Sequence, residues 1–576
     1  MPEKKLKTPT GELINALDNS KYSYSKKDNM AKIAQINELS RRKIKSPTAI
    51  IKYHEALCFM QAYPGNAAIS RIVDFQLSEF YKIVGDFRES NGSGDDRIND
   101  TGMVDTIIRY PYSFNMALWL SENFGSDIDI DWDDYSEKED DPISGLLSAF
   151  AIYVENDGID DEDISSQDWI ENARGKKQSS LAWLLRRIVS ANIPGSLKQH
   201  LYDNAEIGLK WNLGLSDSSR TLAKKPVKRA FFQRSGLKKS RINLRNAGRK
   251  TRPEIKLLSK TAGRAVINRL IKALLPRHRE LYPVLFANPH EVYETSPGRG
   301  LKIFIPGMRP ENRMPLETNY SAILVKNGVP IGYGIAVLFF DQCEIAINVF
   351  DTFRSGEASV IFDHFFRVFY HNFGARAFIM RKWQVGHENE EGLQSGSFWF
   401  YHKLGFRPIE QETARLAESE HKKIQRKKAY RTDLKTLKKL ALSDMVIDLR
   451  PGPRNPFEEL RVSDIGMAVT KTVAEDFDGD GKRAEKSLAL KARKNLGNPD
   501  IGGWNYNEKS QFRRWSPLIG IIPDLADWKR SEKSALLALI RSKGTLQEGK
   551  FVKLLQAHNH LKVAIKKIAR SAANRI

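Results

Sequence analysis

Residues 344–408 decide the fold. They read Glu-Ile-Ala-Ile-Asn-Val-Phe (344–350), then the polar turn Asp-Thr-Phe-Arg-Ser-Gly-Glu-Ala-Ser (351–359), an aromatic amphipathic stretch, a second apolar run from Ala377, and Ser-Phe-Trp-Phe-Tyr-His-Lys-Leu-Gly-Phe-Arg-Pro (397–408). This pattern predicts strand, turn, helix, strand, helix. A strand that empties into a Gly-containing turn opening a helix leaves backbone N–H groups unpaired at the helix N-terminus, and such groups hold anionic phosphates.

Outward from that stretch, the 576-residue chain is 41% hydrophobic and 28% charged, a composition of soluble globular domains, and it is too long for one core. Cys58 and Cys343 are too few for a disulfide framework or a four-cysteine metal site, which fits a reducing compartment. The first residues, Met-Pro-Glu-Lys-Lys-Leu-Lys, carry no apolar leader, and no uninterrupted apolar run approaches the ~20 residues of a bilayer span. A cytoplasmic protein without membrane contact is expected.

The net charge of +22 is local. Between Arg220 and Glu280 there are 20 Lys or Arg against Glu254 and Glu280, so 20 − 2 = +18 lies in one segment. Glu122 to Asp168 carries 17 acids against Lys138 alone. The basic segment 220–280 is therefore either a surface for nucleic acid or an acidic protein, or a solvated linker that docks on the acidic region. Its sparse aromatics, Phe231 and Phe232, argue against base stacking.

Composition divides the chain into a flexible polar tail (1–30), a mainly helical domain (31–215) with the acidic region 122–168, a basic linker (216–253), a strand-and-helix domain with a leading basic helix (254–449), and a helical basic C-terminal region (450–576). Ser46-Pro47-Thr48 predicts a helix start and Tyr63-Pro64-Gly65 its end. Further helices are expected over 69–84, 114–122, 142–154 and 181–193. The alternation Asp127 to Trp132 predicts a short, charged edge strand. Glu254 to Leu275 reads as one basic amphipathic helix, and 549–575 as the last helical run. Strands are expected at 301–305, 321–325 and 330–340, with Asn327-Gly328 as a two-residue hairpin turn.

The order hairpin, strand, phosphate turn, helix, strand, helix, closed by Phe400-Tyr401-His402-Lys403-Leu404-Gly405-Phe406, resembles the GNAT superfamily of acyl-CoA N-acyltransferases. The resemblance covers about a quarter of the chain. The whole chain also resembles a group of long, uncharacterised bacterial proteins that carry this domain between helical flanks, and that likeness brings no substrate.

The resemblance implies an α+β fold with a mixed central sheet between helical regions. It implies an N-acyltransferase that moves an acyl group, acetyl in the first instance, from acyl-CoA to an amine acceptor, with no metal. An amine of pKa ~10 needs a base, and the departing thiolate needs an acid. Glu344 is the candidate base and Tyr401 the candidate acid. Backbone N–H groups at Val349 and Phe350 would polarise the thioester carbonyl, and those of Ser355, Gly356, Glu357 and Ala358 would hold the pyrophosphate, with Arg354 adding charge. Asn389 falls near a position where the superfamily places an asparagine on cofactor or backbone. The turn departs from the superfamily pattern: Phe353 stands where a Gln or Arg belongs, Arg354 is one residue late, and Glu357 adds a carboxylate. The alternative is an inactive acyltransferase-like binding or regulatory protein that contacts nucleic acid or an acidic partner through its basic segment.

Other motifs have plain structural explanations. His364, His371 and His402 lack paired ligand spacing, and the adjacent side chains of His387-Glu388-Asn389-Glu390 diverge. Asp476, Asp478 and Asp480 imitate the start of a calcium loop, but Ser487 stands where its closing glutamate belongs, and a helix-capping turn explains them.

Overall fold

The computed structural model describes residues 9–573 except 93–95, 136–140, 153, 161–163, 239–241, 428 and 452–456. The chain forms two compact units. One comprises Met1–Leu237, Asn268–Leu285 and Lys326–Pro330, the other Lys238–Ile267, Phe286–Val325 and Ile331–Ile576.

The first unit is mainly helical. Its polar start is a correction to the loose-tail reading: Thr10–Ser20 and Lys26–Leu39 are helices, the first burying Ile14 and Leu17, the second closed by a capping box between Ser25 and Asp28. Lysine-rich composition concealed a three-residue apolar spacing; residues 1–8 of that tail lie outside the described residues. Pro47–Ala62 is the expected helix, with Ser46 accepting the Ala49 N–H. The run over 69–84 is two helices, Ala67–Ser78 and Phe80–Asn91, interrupted at Glu79. Three strands, β1 (Ile107–Tyr110), β2 (Ile128–Ile130) and β3 (Leu209–Asn212), form a sheet of order β1-β3-β2. β2 is an edge as expected, yet it buries Ile128 and Ile130 while Asp129 accepts the Leu181 N–H at 2.7 Å.

The basic stretch 216–253 is not a solvated linker. Ser218, Ser219, Thr221, Gln233, Leu244 and Ala247 are buried in it. Arg220 pairs with Glu55, Lys224 with Asp74 at 2.6 Å, Lys225 with Asp217 at 2.5 Å, and Lys250 with Asp363 at 2.6 Å. None of these four acids belongs to the acidic region 122–168. Residues 239–241 of the stretch, and 136–140 and 161–163 of the acidic region, lie outside the described residues.

The second unit is built on a nine-stranded mixed sheet with many helices. Its strands are β4 (Lys256–Leu257), β5 (Ala287–Gly298), β6 (Leu301–Met308), β7 (Thr318–Lys326), β8 (Val329–Phe339), β9 (Gln342–Val349), β10 (Ala377–Met380), β11 (Arg407–Pro408) and β12 (Met445–Asp448). Their order is β4-β5-β6-β7-β8-β9-β10-β12-β11. The predicted helix from Glu254 instead begins at Lys260, because Leu257 belongs to β4 and is exposed. Asn327 and Gly328 both have positive φ, as a two-residue hairpin turn requires.

β8 and β9 are antiparallel, whereas β9 and β10 are parallel and joined through the helix Ala358–Asn372. That helix buries Ile361, Phe362, Phe365, Phe366 and Phe369, and Phe366 stacks on Phe378 of β10 with ring centroids 3.8 Å apart. A β-carbon at Gly332 would lie 2.3 Å from the Asn348 carbonyl oxygen, so β8 and β9 come together there only over glycine.

The C-terminal helices are part of this unit rather than a separate region. Ile465, Trp515, Ile519, Leu536, Phe551 and Ile565 form one core with Phe339 and Phe340 at the end of β8. Beneath it lie four charged side chains with essentially no exposure, Glu291, Arg313, Lys543 and Glu548. Arg313 is 3.4 Å from Glu291 and 3.2 Å from Glu548, Lys543 pairs with Glu548, and Arg313 also donates to the Lys543 and Thr545 carbonyls. Burial pushes Glu291 up to about 7, opposed by Arg313, and pushes Lys543 down to about 8. Removing Arg313 would leave two carboxylates facing one ammonium out of water. Arg313→Met is therefore expected to lower the unfolding free energy by about 3–5 kcal/mol, read from the urea midpoint; a loss below about 1 kcal/mol would show that the quartet holds nothing in place.

Candidate active site

The sheet opens between β9 and β10. Their parallel ladder pairs Gln342, Cys343 and Glu344 with Ala377, Phe378 and Ile379, and β10 ends at Met380. β8 continues beside β9 to Val349, so Ile345–Val349 has a strand neighbour on one side only among the described residues. The ladder's alternation tells which groups face the gap. The Phe350 N–H donates to the Ile331 carbonyl at 2.9 Å, which makes Asn348, Ala346 and Glu344 the residues bonded to β8. Ile347 and Val349 therefore direct their N–H and C=O groups into the opening, and Ile345 its C=O, since the Glu344–Ile379 pairing takes the Ile345 N–H onto the Ile379 carbonyl. The Val349 carbonyl fits this, since it accepts from Arg354 Nε at 3.4 Å.

At the end of β9 the chain turns through Asp351–Phe353 and starts the Ala358–Asn372 helix. Val360 and Ile361 N–H both donate to the Glu357 carbonyl, at 3.0 and 3.1 Å. Among the described residues, Ala358 and Ser359 N–H donate to no backbone carbonyl. They are the helix's free N-terminal donors at the mouth of the opening.

The predicted site residues divide. Val349 and Ala358 present N–H groups as expected, whereas Phe350 and Gly356 do not, since the Gly356 N–H is bonded to the Phe353 carbonyl at 2.8 Å. Ser355 is exposed at the tip of the turn. Phe353 is buried, which explains its departure from a polar residue. Glu357 turns inward: its carboxylate, 4% exposed, accepts from Arg299 Nε at 2.9 Å and from the Lys238 N–H at 3.2 Å, so it is neutralised rather than aimed at a phosphate. Arg354 lies between Asp351, at 2.5 Å, and Glu391. Asn389 is a helix cap, accepting the Gly392 N–H and donating to the Trp383 carbonyl, and this replaces the cofactor contact. Asp480 likewise caps Gly481–Asn495 through the Arg483 N–H.

Tyr401 is buried against Phe362 and Phe406. Burial, then the neighbouring Tyr333, holds its phenol above the ordinary range, so it stays protonated through neutral pH. Tyr333 stands opposite Asn348 in the ladder, near the turn. Glu344 lies at the other end of β9, five residues before Val349 and about 17 Å away at strand rise. It is paired with Arg381 at 2.8 Å, and Arg381 also holds Asp444 at 2.9 Å and Glu459 at 2.7 Å. The structure thus places Tyr401 and Glu344 at opposite ends of the open edge.

Two residues escaped the sequence reading. Tyr333 looks like any aromatic on an alternating strand. Glu317 precedes β7, and burial followed by the nearby Glu344 carboxylate raises its pKa. It forms no ion pair among the described residues, unlike Glu344, which fits it better for proton transfer. Only a raised pKa beside a paired carboxylate marks it out, and that signal is absent from sequence.

Among the described residues, no group of three His, Cys, Asp or Glu side chains is placed to hold a metal ion, and no helix is long and apolar enough to cross a membrane. Comparison of the chain with family models, curated proteins and solved structures gives no match.

The helix behind the turn is anchored by His364. Its Nε2 lies 2.8 Å from Thr295 Oγ1, which itself donates to the Glu254 carbonyl, so Nε2 carries the proton and Nδ1 is buried without a partner. Burial, then Arg367, pushes His364 down to about 4. Between 6.5 and 4 the unfolded chain binds a proton that the native state refuses, so stability falls as pH is lowered through that window, by up to about 1.4 kcal/mol per pH unit. Urea titrations at pH 7 and pH 5 are expected to show this loss, and His364→Gln to reduce it; an unchanged slope in the variant would place the acid sensitivity elsewhere.

Proposed function

We propose that this chain is a cytoplasmic acyl-CoA-dependent N-acyltransferase, with acetyl-CoA as the simplest donor and an amine as acceptor. The observation that carries the reading is the unpaired edge Ile345–Val349, which leads straight to a helix N-terminus with free donors. CoA has the complementary parts. Its pyrophosphate suits the Ala358 and Ser359 N–H groups, with Arg354 alongside. Its pantetheine arm is an extended chain with two amides, and it would bond to the N–H and C=O groups of Ile347 and Val349 and to the Ile345 carbonyl as an added strand does. The element order also supports the GNAT resemblance, since hairpin, strand, turn, helix, parallel strand and the Ser397–Leu404 helix recur in sequence order.

An arm that starts at the turn runs back along β9 and carries its acyl end toward Glu344. Four carboxylates, Glu317, Glu344, Asp444 and Glu459, gather there around Arg381. Their net negative charge favours a cationic acceptor amine. Glu317 takes the proton as the amine nitrogen forms its bond to the thioester carbonyl carbon. The C–S bond then breaks, and the thiolate takes a proton from solvent water, since Tyr401 lies at the turn end of the open edge. Glu344, held by Arg381, shapes the charge of the site instead of serving as base.

The inactive nucleic-acid-binding reading finds less support, because Arg220, Lys224, Lys225 and Lys250 are already paired with carboxylates.

CoA is expected to raise the melting temperature of the full chain, and Arg354→Ala to reduce that shift; no shift at millimolar CoA would sink the proposal. With acetyl-CoA and a panel of polyamines and lysine peptides, thiol release is expected to fall about 100-fold in Glu317→Gln, with CoA affinity retained. Unchanged turnover in this variant would remove Glu317 from its role.

A further inference from the structure

A second cavity lies away from the sheet opening. It has a volume of about 530 Å³, within the range of small-molecule sites, and is formed beside β5, the end of the Ala358–Asn372 helix and the start of the Gly549–Ala557 helix. Since Ala358–Asn372 has 15 residues, this cavity is about 20 Å from the phosphate turn at the helix's other end.

Three cations line it, Arg252, Lys550 and Lys553, and no carboxylate does. Elsewhere in this unit, cations such as Lys250, Arg367, Lys543 and Lys562 sit on acids. None of these three is in an ion pair among the described residues. Arg252 is also preset. Its Nε donates to Asn372 Oδ1 at 2.7 Å, and Asn372 in turn donates to the Pro253 carbonyl at 3.1 Å, which fixes the guanidinium and leaves its terminal nitrogens for a ligand. Lys550 and Lys553 are three residues apart and share one face of their helix. The N-terminus of that helix is not the anion site, because Glu291 already accepts the Glu548 and Gly549 N–H groups at 2.8 and 3.0 Å.

Between the cations the lining is mixed, with Ile255, Leu546 and aromatic side chains beside the polar Asn372, Thr545 and Gln547. Tyr293 and Phe373 meet edge to face with centroids 5.7 Å apart, and Val552 flanks them. Three positive charges on exposed side chains around one opening suit more than one negative charge on the ligand, and Tyr293, which is only half-buried, suits a flat, weakly polar group joined to it.

We propose that this cavity is a binding site for a nucleoside di- or triphosphate, with the base against Tyr293 and the phosphates on Arg252, Lys550 and Lys553. The site is independent of the proposed donor cleft, and its occupancy would regulate or supply that reaction without taking part in it.

The test is isothermal titration of ADP, ATP and inorganic tripolyphosphate into the full chain at low salt, for wild type, the double variant Lys550→Glu/Lys553→Glu, and Arg354→Ala. Both lysines are exposed, so the double variant is expected to fold. The nucleotides are expected to bind, to weaken at least tenfold in the double variant, and to bind Arg354→Ala as they bind wild type. Tripolyphosphate is expected to bind about tenfold less tightly than ATP. No binding of either nucleotide, binding that survives the double variant, or loss only in Arg354→Ala would overturn the proposal. Tripolyphosphate binding as tightly as ATP would overturn the nucleoside part. Loss of CoA binding without loss of nucleotide binding would count against the donor cleft alone.

Discussion

Arg381 stands where the sheet begins to part. It follows the last residue of β10, pairs with Glu344 of β9, and holds Asp444 just before β12 together with Glu459. Burial acts against its charge, but the carboxylates outweigh it and hold the guanidinium even more firmly protonated than usual. The arrangement fastens the closed end of a wedge. Beyond it β9 keeps its β8 partner and loses β10, which leaves a row of peptide groups unpaired inside the domain. Unpaired peptide groups carry a free-energy penalty unless water or a ligand meets them. That constraint links the fold to the proposed chemistry.

Charge is used in two ways in this unit. Around Glu291, Arg313, Lys543 and Glu548 it is balanced two against two and shut away from water, tying β5, the chain after β6 and the C-terminal helices into one body. Around Arg381 one cation faces an excess of carboxylates that remain partly exposed. The first arrangement resists change, because removing any member strands the others. The second leaves negative potential that can draw and orient a cationic amine.

Sequence carried the local elements that depend on neighbouring residues. Asn327-Gly328 specifies its turn by φ alone, Ser46 caps its helix, and Gly405 ends Ser397–Leu404 with a positive φ. The alternating strands β6 to β9 and the aromatic helix after the turn were legible for the same reason. What depended on distant partners was not. Glu357 looks like an intruder in a phosphate turn until Arg299 is seen to hold it. Asn389 passes for a ligand contact until its cap is seen. The lysine-rich start and the basic stretch read as loose because composition averages over the buried Ile14, Leu17, Gln233 and Leu244 that fasten them. β5, twelve residues long with irregular pairing to β6, gave no clean period-two signal. The opening itself follows from a ladder that stops after three pairs, which no residue type announces.

The most direct test of the account is residue-resolved amide hydrogen exchange of the full chain with and without CoA. The account predicts new protection at the Ile347 and Val349 amides, which face the gap, and at Ala358 and Ser359. The Ala346 and Asn348 amides, already bonded to β8, would change little. Protection spread evenly along β9, or none at these four amides at saturating CoA, would contradict it.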